Sequence, residues 1–187
     1  MTKMAILSLL LIAALPVLAD DPLPQDQPSP TVRGIPLGAS KETVHAAFPK
    51  CDLGQVKQIR LCVVMHNPIG SVDASDAYIF DDHGTVSRIG LTFSTTSYPL
   101  MRETFMTKFG KPTSASSNTY KNSLGAAYEF ETLVWVGKTM VVTLEQYEKQ
   151  TYEYAGREGS ASFETRSAYD ASIAEAEAKR KKALTDF

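Results

Sequence analysis

Apolar positions along the chain follow two rhythms that alternate. In Arg88-Ile89-Gly90-Leu91-Thr92-Phe93 every second residue is apolar, the period of a half-buried strand. Together with Ala77-Tyr78-Ile79-Phe80 it predicts a hairpin over residues 77–93, turning at Asp82, His83 and Gly84. Residues 59–65 (IRLCVVM) are a further strand candidate. Before these, Val44, Ala47 and Phe48 fall on one face of a short helix that Ser40 can cap, with Ala39 and Val44 as a hydrophobic staple and Pro49 as the stop.

The same order then recurs. Ser97 as cap, Pro99 in the first turn and Met101, Phe105 and Phe109 as an apolar face predict a helix that Gly110 stops before Pro112. Residues 112–124, rich in Ser, Thr and Asn, are expected to form a loop. AAYEFETLVWVGKTMVVTLEQYE (126–148) then gives two strands hinged at Gly137-Lys138, and a last strand is expected around SASFETR (160–166) after a turn at AGREG (155–159). KETVHAAFPK (41–50) matches RETFMTKFGK (102–111) at the apolar helix face and at the stop. Two helix-plus-hairpin units in tandem account for that match, the alternative being the pattern that any two amphipathic helices share.

After Asp170 the pattern is helical, with Glu175 and Glu177 ahead of Lys179, Arg180, Lys181 and Lys182, an order that suits the helix dipole. Four bases beside those acids read as a solvated helix end rather than a lipid contact. The expected fold class is therefore α+β: two fused helix-plus-antiparallel-hairpin units forming a curved sheet (34–95 and 96–168), with a C-terminal helix over 169–187.

YEFETLVWV carries apolar residues on both phases of its alternation. Tyr128, Phe130, Thr132, Val134 and Val136 are expected in the core, which puts Leu133 and Trp135 beside Glu129 and Glu131 on the outer face. Either the C-terminal helix covers that face through Ile173 and Leu184, or Leu133 and Trp135 are an exposed anchor for a partner.

The chain's beginning changes the picture of where such a domain works. Lys3, the uncharged run Met4–Leu18 and small residues at Val17 and Ala19 predict a signal peptide over residues 1–19, cleaved after Ala19. The run is shorter than a membrane span and holds Pro16, so no stable membrane anchor is expected after cleavage. Residues 20–33 (DDPLPQDQPSPTVR) hold four prolines and no aromatic residue, and read as a disordered tether. Cys51 and Cys62 are the only cysteines, an even count that in an exported chain predicts a disulfide. Closing that loop contributes roughly 2–3 kcal/mol in the chain-entropy picture.

Residues Gly38–Val44 (GASKETV) with Phe48-Pro49, Phe105–Pro112 (FMTKFGKP) and the hairpin Tyr78–Val86 (YIFDDHGTV) resemble the small envelope proteins of the SmpA/OmlA type and the related β-lactamase-inhibitor-protein fold. The resemblance covers residues 37 to about 145. It departs from the lipoprotein branch in lacking the lipidated cysteine and in placing Thr43 between Glu42 and Val44. It implies tandem αβ units used for binding protein without catalysis, with the Cys51–Cys62 bridge stapling the first helix to its following strand.

A search for chemistry changes this little. The formal net charge of −2 at pH 7 argues against sequence-independent nucleic-acid binding, which needs a basic surface. Asp81, Asp82 and His83 offer half a metal site at most and read as a polar turn. Glu129 and Glu131 sit at strand spacing, as a glycosidase pair can, but read as an acidic edge. No nucleophile elbow, phosphate loop, dinucleotide fingerprint or zinc spacing occurs. The expectation is thus a non-catalytic protein-binding or inhibitor module, periplasmic or secreted, without cofactor or metal, whose partner is another envelope protein. An envelope hydrolase with a dispersed site and a cell-wall or envelope structural protein are the alternatives.

Overall fold

Strands of alternating pattern pair here into one eight-stranded antiparallel sheet. In the computed structural model the described residues are 31–51, 53–56, 59–121, 125, 127–147 and 158–185. A two-stranded ribbon, β1 (Thr31–Val32) and β2 (Ile35–Pro36), leads into helix α1 (Lys41–Ala47). Strands β3 (Leu53–Val56), β4 (Ile59–Val64), β5 (Ala74–Phe80) and β6 (Val86–Ser94) follow as a meander. Helix α2 (Tyr98–Phe109) opens the second half, with β7 (Ser114–Lys121), β8 (Ala127–Val136), β9 (Met140–Glu145) and β10 (Glu158–Thr165), and α3 (Arg166–Thr185) ends it. The sheet order is β3-β4-β5-β6-β10-β9-β8-β7, so the fourth strands of the two halves pair at the centre. The fold is α+β, as the two rhythms predicted.

Local chemistry accounts for most element ends. Ser40 caps α1 by accepting the Thr43 N–H at 3.3 Å. Asp81 builds the β5–β6 turn, its Oδ1 accepting from the N–H groups of His83 and Thr85 and its Oδ2 from the Thr85 hydroxyl. Gly84 supplies the φ of +77° that this turn requires. Ser97 precedes α2 without a side-chain cap; Ser94 instead holds a 3₁₀ turn over Thr95–Ser97 by accepting from Thr96 N–H.

Registered pairs show which residues share a face. Cys62, Tyr78, Ile89, Phe163, Val142 and Trp135 are opposed in turn across β4, β5, β6, β10, β9 and β8, and all six are buried. Both short helices cover this face. Phe48, at the end of α1, stacks on Tyr78 at 5.5 Å, while Phe105 and Phe109 of α2 meet both Trp135 and Phe163 at 5.8–6.2 Å between ring centres. Cys51 and Cys62 are joined in a disulfide, their Cα atoms 5.5 Å apart, which ties the end of α1 to β4. At Gly159 a Cβ would lie 2.6 Å from the Phe93 ring, so any side chain there would displace that ring.

Several expectations need correction. Ser114–Lys121, expected within a loop, is a full strand exposed on both faces from residue 114 to 119, where the pairing edge that β8 offers, not burial, accounts for it. An extra strand, β3, precedes the first expected one. The tether ends earlier than expected, since Thr31–Arg33 belong to the β1–β2 ribbon, and α3 begins at Arg166 directly from β10. The signal peptide, residues 20–30 of the arm and most of the AGREG turn lie outside the described residues.

Candidate functional site

The outer phase of β8 was misassigned. Leu133 and Trp135 are fully buried, and the indole Nε1–H donates to the Gly110 carbonyl at 2.9 Å. They are core residues beneath α2, so neither is an anchor for a partner. Nor does α3 cover them: Ile173 and Leu184 stand 43% and 69% exposed, and α3 meets the sheet at β9 and β10. The inversion has a physical cause. Both phases of β8 are apolar, and the choice falls to whichever matches the Phe105–Phe109 face of α2, where only a large ring fills the space.

Glu131, of the same phase, is likewise structural, whereas Glu129 is exposed. Glu131 accepts from Tyr98 Oη at 2.8 Å and from Arg102 Nε at 2.9 Å, which latches α2 to β8. Those Arg102 bonds, opposed in part by burial and helped by Tyr98, hold the Glu131 carboxyl below its ordinary value of 4.5. Burial, then the bond to Glu131, raises the Tyr98 phenol. A depressed carboxyl contributes stability above its unfolded pKa and loses it as pH falls through the lower folded value. Glu131→Gln is therefore expected to be less stable than wild type at pH 7, with the difference shrinking as pH falls from the ordinary carboxyl value through the lowered folded one. Denaturant midpoints measured from pH 7 to pH 3 check this, and a constant difference across the range counts against the latch.

A second polar cluster is sealed inside the first half. Asp76, with no exposed surface, accepts from Arg33 Nε at 2.9 Å and Asn67 Nδ2 at 3.0 Å. Arg33 also donates to the carbonyls of Pro68 and Asn67. Sequence reasoning missed this cluster, though Asp76 stands on the inward phase of Ala74, Asp76, Tyr78 and Phe80, where a carboxylate needs a reason. The three histidines, His45, His66 and His83, are all exposed, and no group of metal-ligating side chains occurs among the described residues.

Two concave or open regions remain. A groove of about 500 Å³ runs between the β1–β2 ribbon, residues 68–72 and α2, floored by Leu91 and Phe163 and bordered by Arg33 and Lys108. Its described lining holds hydroxyls and two cations but no carboxylate, histidine or thiol. The other region is the sheet face opposite α1 and α2. Val63, Ala77, Gly90, Ser162, Thr143, Val134 and Ser114 are opposed in turn across seven strands there. The next row runs Ser75, Thr92, Ser160, Glu145, Thr132 and Ser116. Apart from Glu145, small and β-branched or hydroxyl side chains fill these two rows. Ile59 and Val63 are exposed at one end, and Phe130 with Tyr147, rings 4.4 Å apart, lies at the other. A cross-strand ion pair, Arg88 to Glu164 at 2.7 Å, bridges the two halves on this face. Val141, in the same row as that pair, is buried outside the main core, at the corner where the half-buried first turns of α3 meet β9 and β10.

Comparison with protein-family models, with curated proteins and with solved structures finds no match to this chain. Among the described residues, no helix is long and apolar enough to cross a membrane.

Proposed function

We propose that the protein is an exported, non-catalytic protein-binding or inhibitor module of the bacterial envelope, and that it engages another envelope protein through the open face of its sheet. One observation carries this reading: both short helices cover the same face, leaving a seven-strand row of small and hydroxyl residues uncovered by either of them. The row of small and hydroxyl side chains, lying beside the Arg88–Glu164 pair, lets a partner's side chains or loop approach the backbone closely, while apolar residues at the face's ends supply anchors. The same helix-then-four-strand order in each half supports a tandem repeat, and accords with what the resemblance to the SmpA/OmlA and β-lactamase-inhibitor-protein group implies. Export is supported by the leader-like first residues and by the disulfide. The groove's lack of an acid, base or thiol nucleophile among its described lining favours binding over hydrolysis.

Site-specific photo-crosslinking in intact envelopes tests this. Probes at Thr92 and Thr143 on the open face are expected to give one discrete adduct, and probes at Glu103 and Lys108 on α2 are expected to give none. Thr143→Arg should leave the thermal midpoint within about 3 °C, as surface substitutions generally do, yet abolish the Thr92 adduct. Adducts from α2 alone would overturn the proposal, and so would a Thr92 adduct indifferent to Thr143→Arg.

A further inference from the structure

Helix α3 is long for what it covers. From Arg166 to Leu184 only Ala168, Tyr169 and Ser172 are half-buried, and every residue from Ile173 to Leu184 is exposed. A helical segment of that length is marginal in water without a surface to lie on. Its exposed side chains are not arranged at random. At 100° per residue, Ile173, Glu177, Arg180 and Leu184 fall within an arc of about 60°. Their spacing is four, three and four, and their order is apolar, acid, base, apolar. Read from the other end, that stripe is apolar, base, acid, apolar, the complement of itself.

We propose that α3 is a self-association surface, by which two copies of this chain pair their C-terminal helices antiparallel. In the two-fold register centred between Ala178 and Lys179, Ile173 meets Leu184 of the second copy and Glu177 meets Arg180, each contact made twice. A parallel pair would set Glu177 against Glu177 and Arg180 against Arg180. Charge complementarity therefore selects both the occupant and its direction. The helix dipole explains why acids precede bases along α3, but not why one of each shares the arc of the two large exposed apolar residues. Antiparallel dipoles add to the preference. The small residues Ala176 and Ala183 flank one edge of the stripe and let two helices approach closely. Glu175 is already paired within its own helix, to Lys179 at 2.6 Å, and stands outside the stripe.

The contact spans about 18 Å of helix, which is small beside a standard interface, so the dimer is weak and depends on concentration. Sedimentation of the purified, leader-free protein over roughly 1–500 μM suits an interface of that size. The expected result is a monomer–dimer equilibrium. Glu177→Arg and Arg180→Glu should each raise the dissociation constant at least about tenfold, because each sets like charges opposite one another twice. The double reversal should restore it, and an equimolar mixture of the two single variants should form a heterodimer. Far-UV circular dichroism confirms that each variant keeps its helix. A wild type monomeric throughout the range overturns the proposal. So does a dimer that both single reversals leave unchanged, or one that the double reversal fails to restore.

Discussion

Trp135→Ala is expected to cost about 3–5 kcal/mol of folding stability, the range for removing a large aromatic residue from a core. Three contacts are lost at once. The indole meets Phe105 and Phe109, each at 6.0 Å between ring centres, and its Nε1–H donates to Gly110. That last bond links the helix stop to the sheet. Gly110, at a φ of +73°, ends α2, and its outward-turned carbonyl receives the indole. Trp135→Phe keeps a ring but leaves the carbonyl without its donor, and an intermediate cost of roughly 1–3 kcal/mol is expected. Denaturant unfolding followed by circular dichroism measures both. Because Trp135 is the only tryptophan, its emission separates two structural causes. Deleting α3 from Ala171 onward should leave the emission maximum unchanged, whereas Phe109→Ala should shift it to the red. A cost below about 1 kcal/mol for Trp135→Ala would place the side chain outside the core.

That residue also shows where sequence periodicity stops being informative. Alternation located β6, the Gly137-Lys138 hinge located β9, and helix stops at Pro49 and Gly110 were legible because glycine and proline act locally. Which phase of β8 faces inward was not legible. Phe130, Val134 and Val136 compete with Leu133 and Trp135, and the outcome depends on an aromatic face more than twenty residues upstream in α2. The candidate site followed the error. Assigning Trp135 outward made it the candidate anchor, and the face it vacated, with Thr132 and Val134, is the open one. Strand β7 was hidden for a different reason. Ser114–Thr119 are all exposed and set no period, and the strand state comes from the backbone pairing that β8 offers.

The Arg33–Asp76 pair was beyond local pattern altogether, because its members lie 43 residues apart. Its expected consequence is large. Asp76→Ala should cost about 3–5 kcal/mol, the usual result of removing one partner from a buried ion pair. The carboxylate is wholly buried, and the Arg33 side chain is 20% exposed, so the guanidinium left behind has little water to turn to. Asn67 loses its acceptor as well. Arg33 is held at a φ of +56°, in the left-handed region that a long side chain adopts only under constraint, and the bonds to Asp76, Pro68 and Asn67 supply that constraint. Without Asp76 the β1–β2 ribbon should therefore come loose before the sheet does, and trypsin should cleave after Arg33 in Asp76→Ala under conditions that leave wild type intact. Arg33→Ala, which strands the carboxylate instead, should be at least as costly. The double variant should cost clearly less than the two singles together, since the second change removes a charge that has already lost its partner. Strict additivity would mean that the two groups do not stabilise one another. Coupling without the new tryptic cut would mean that the pair supports the loop at Asn67 and Pro68 rather than the ribbon.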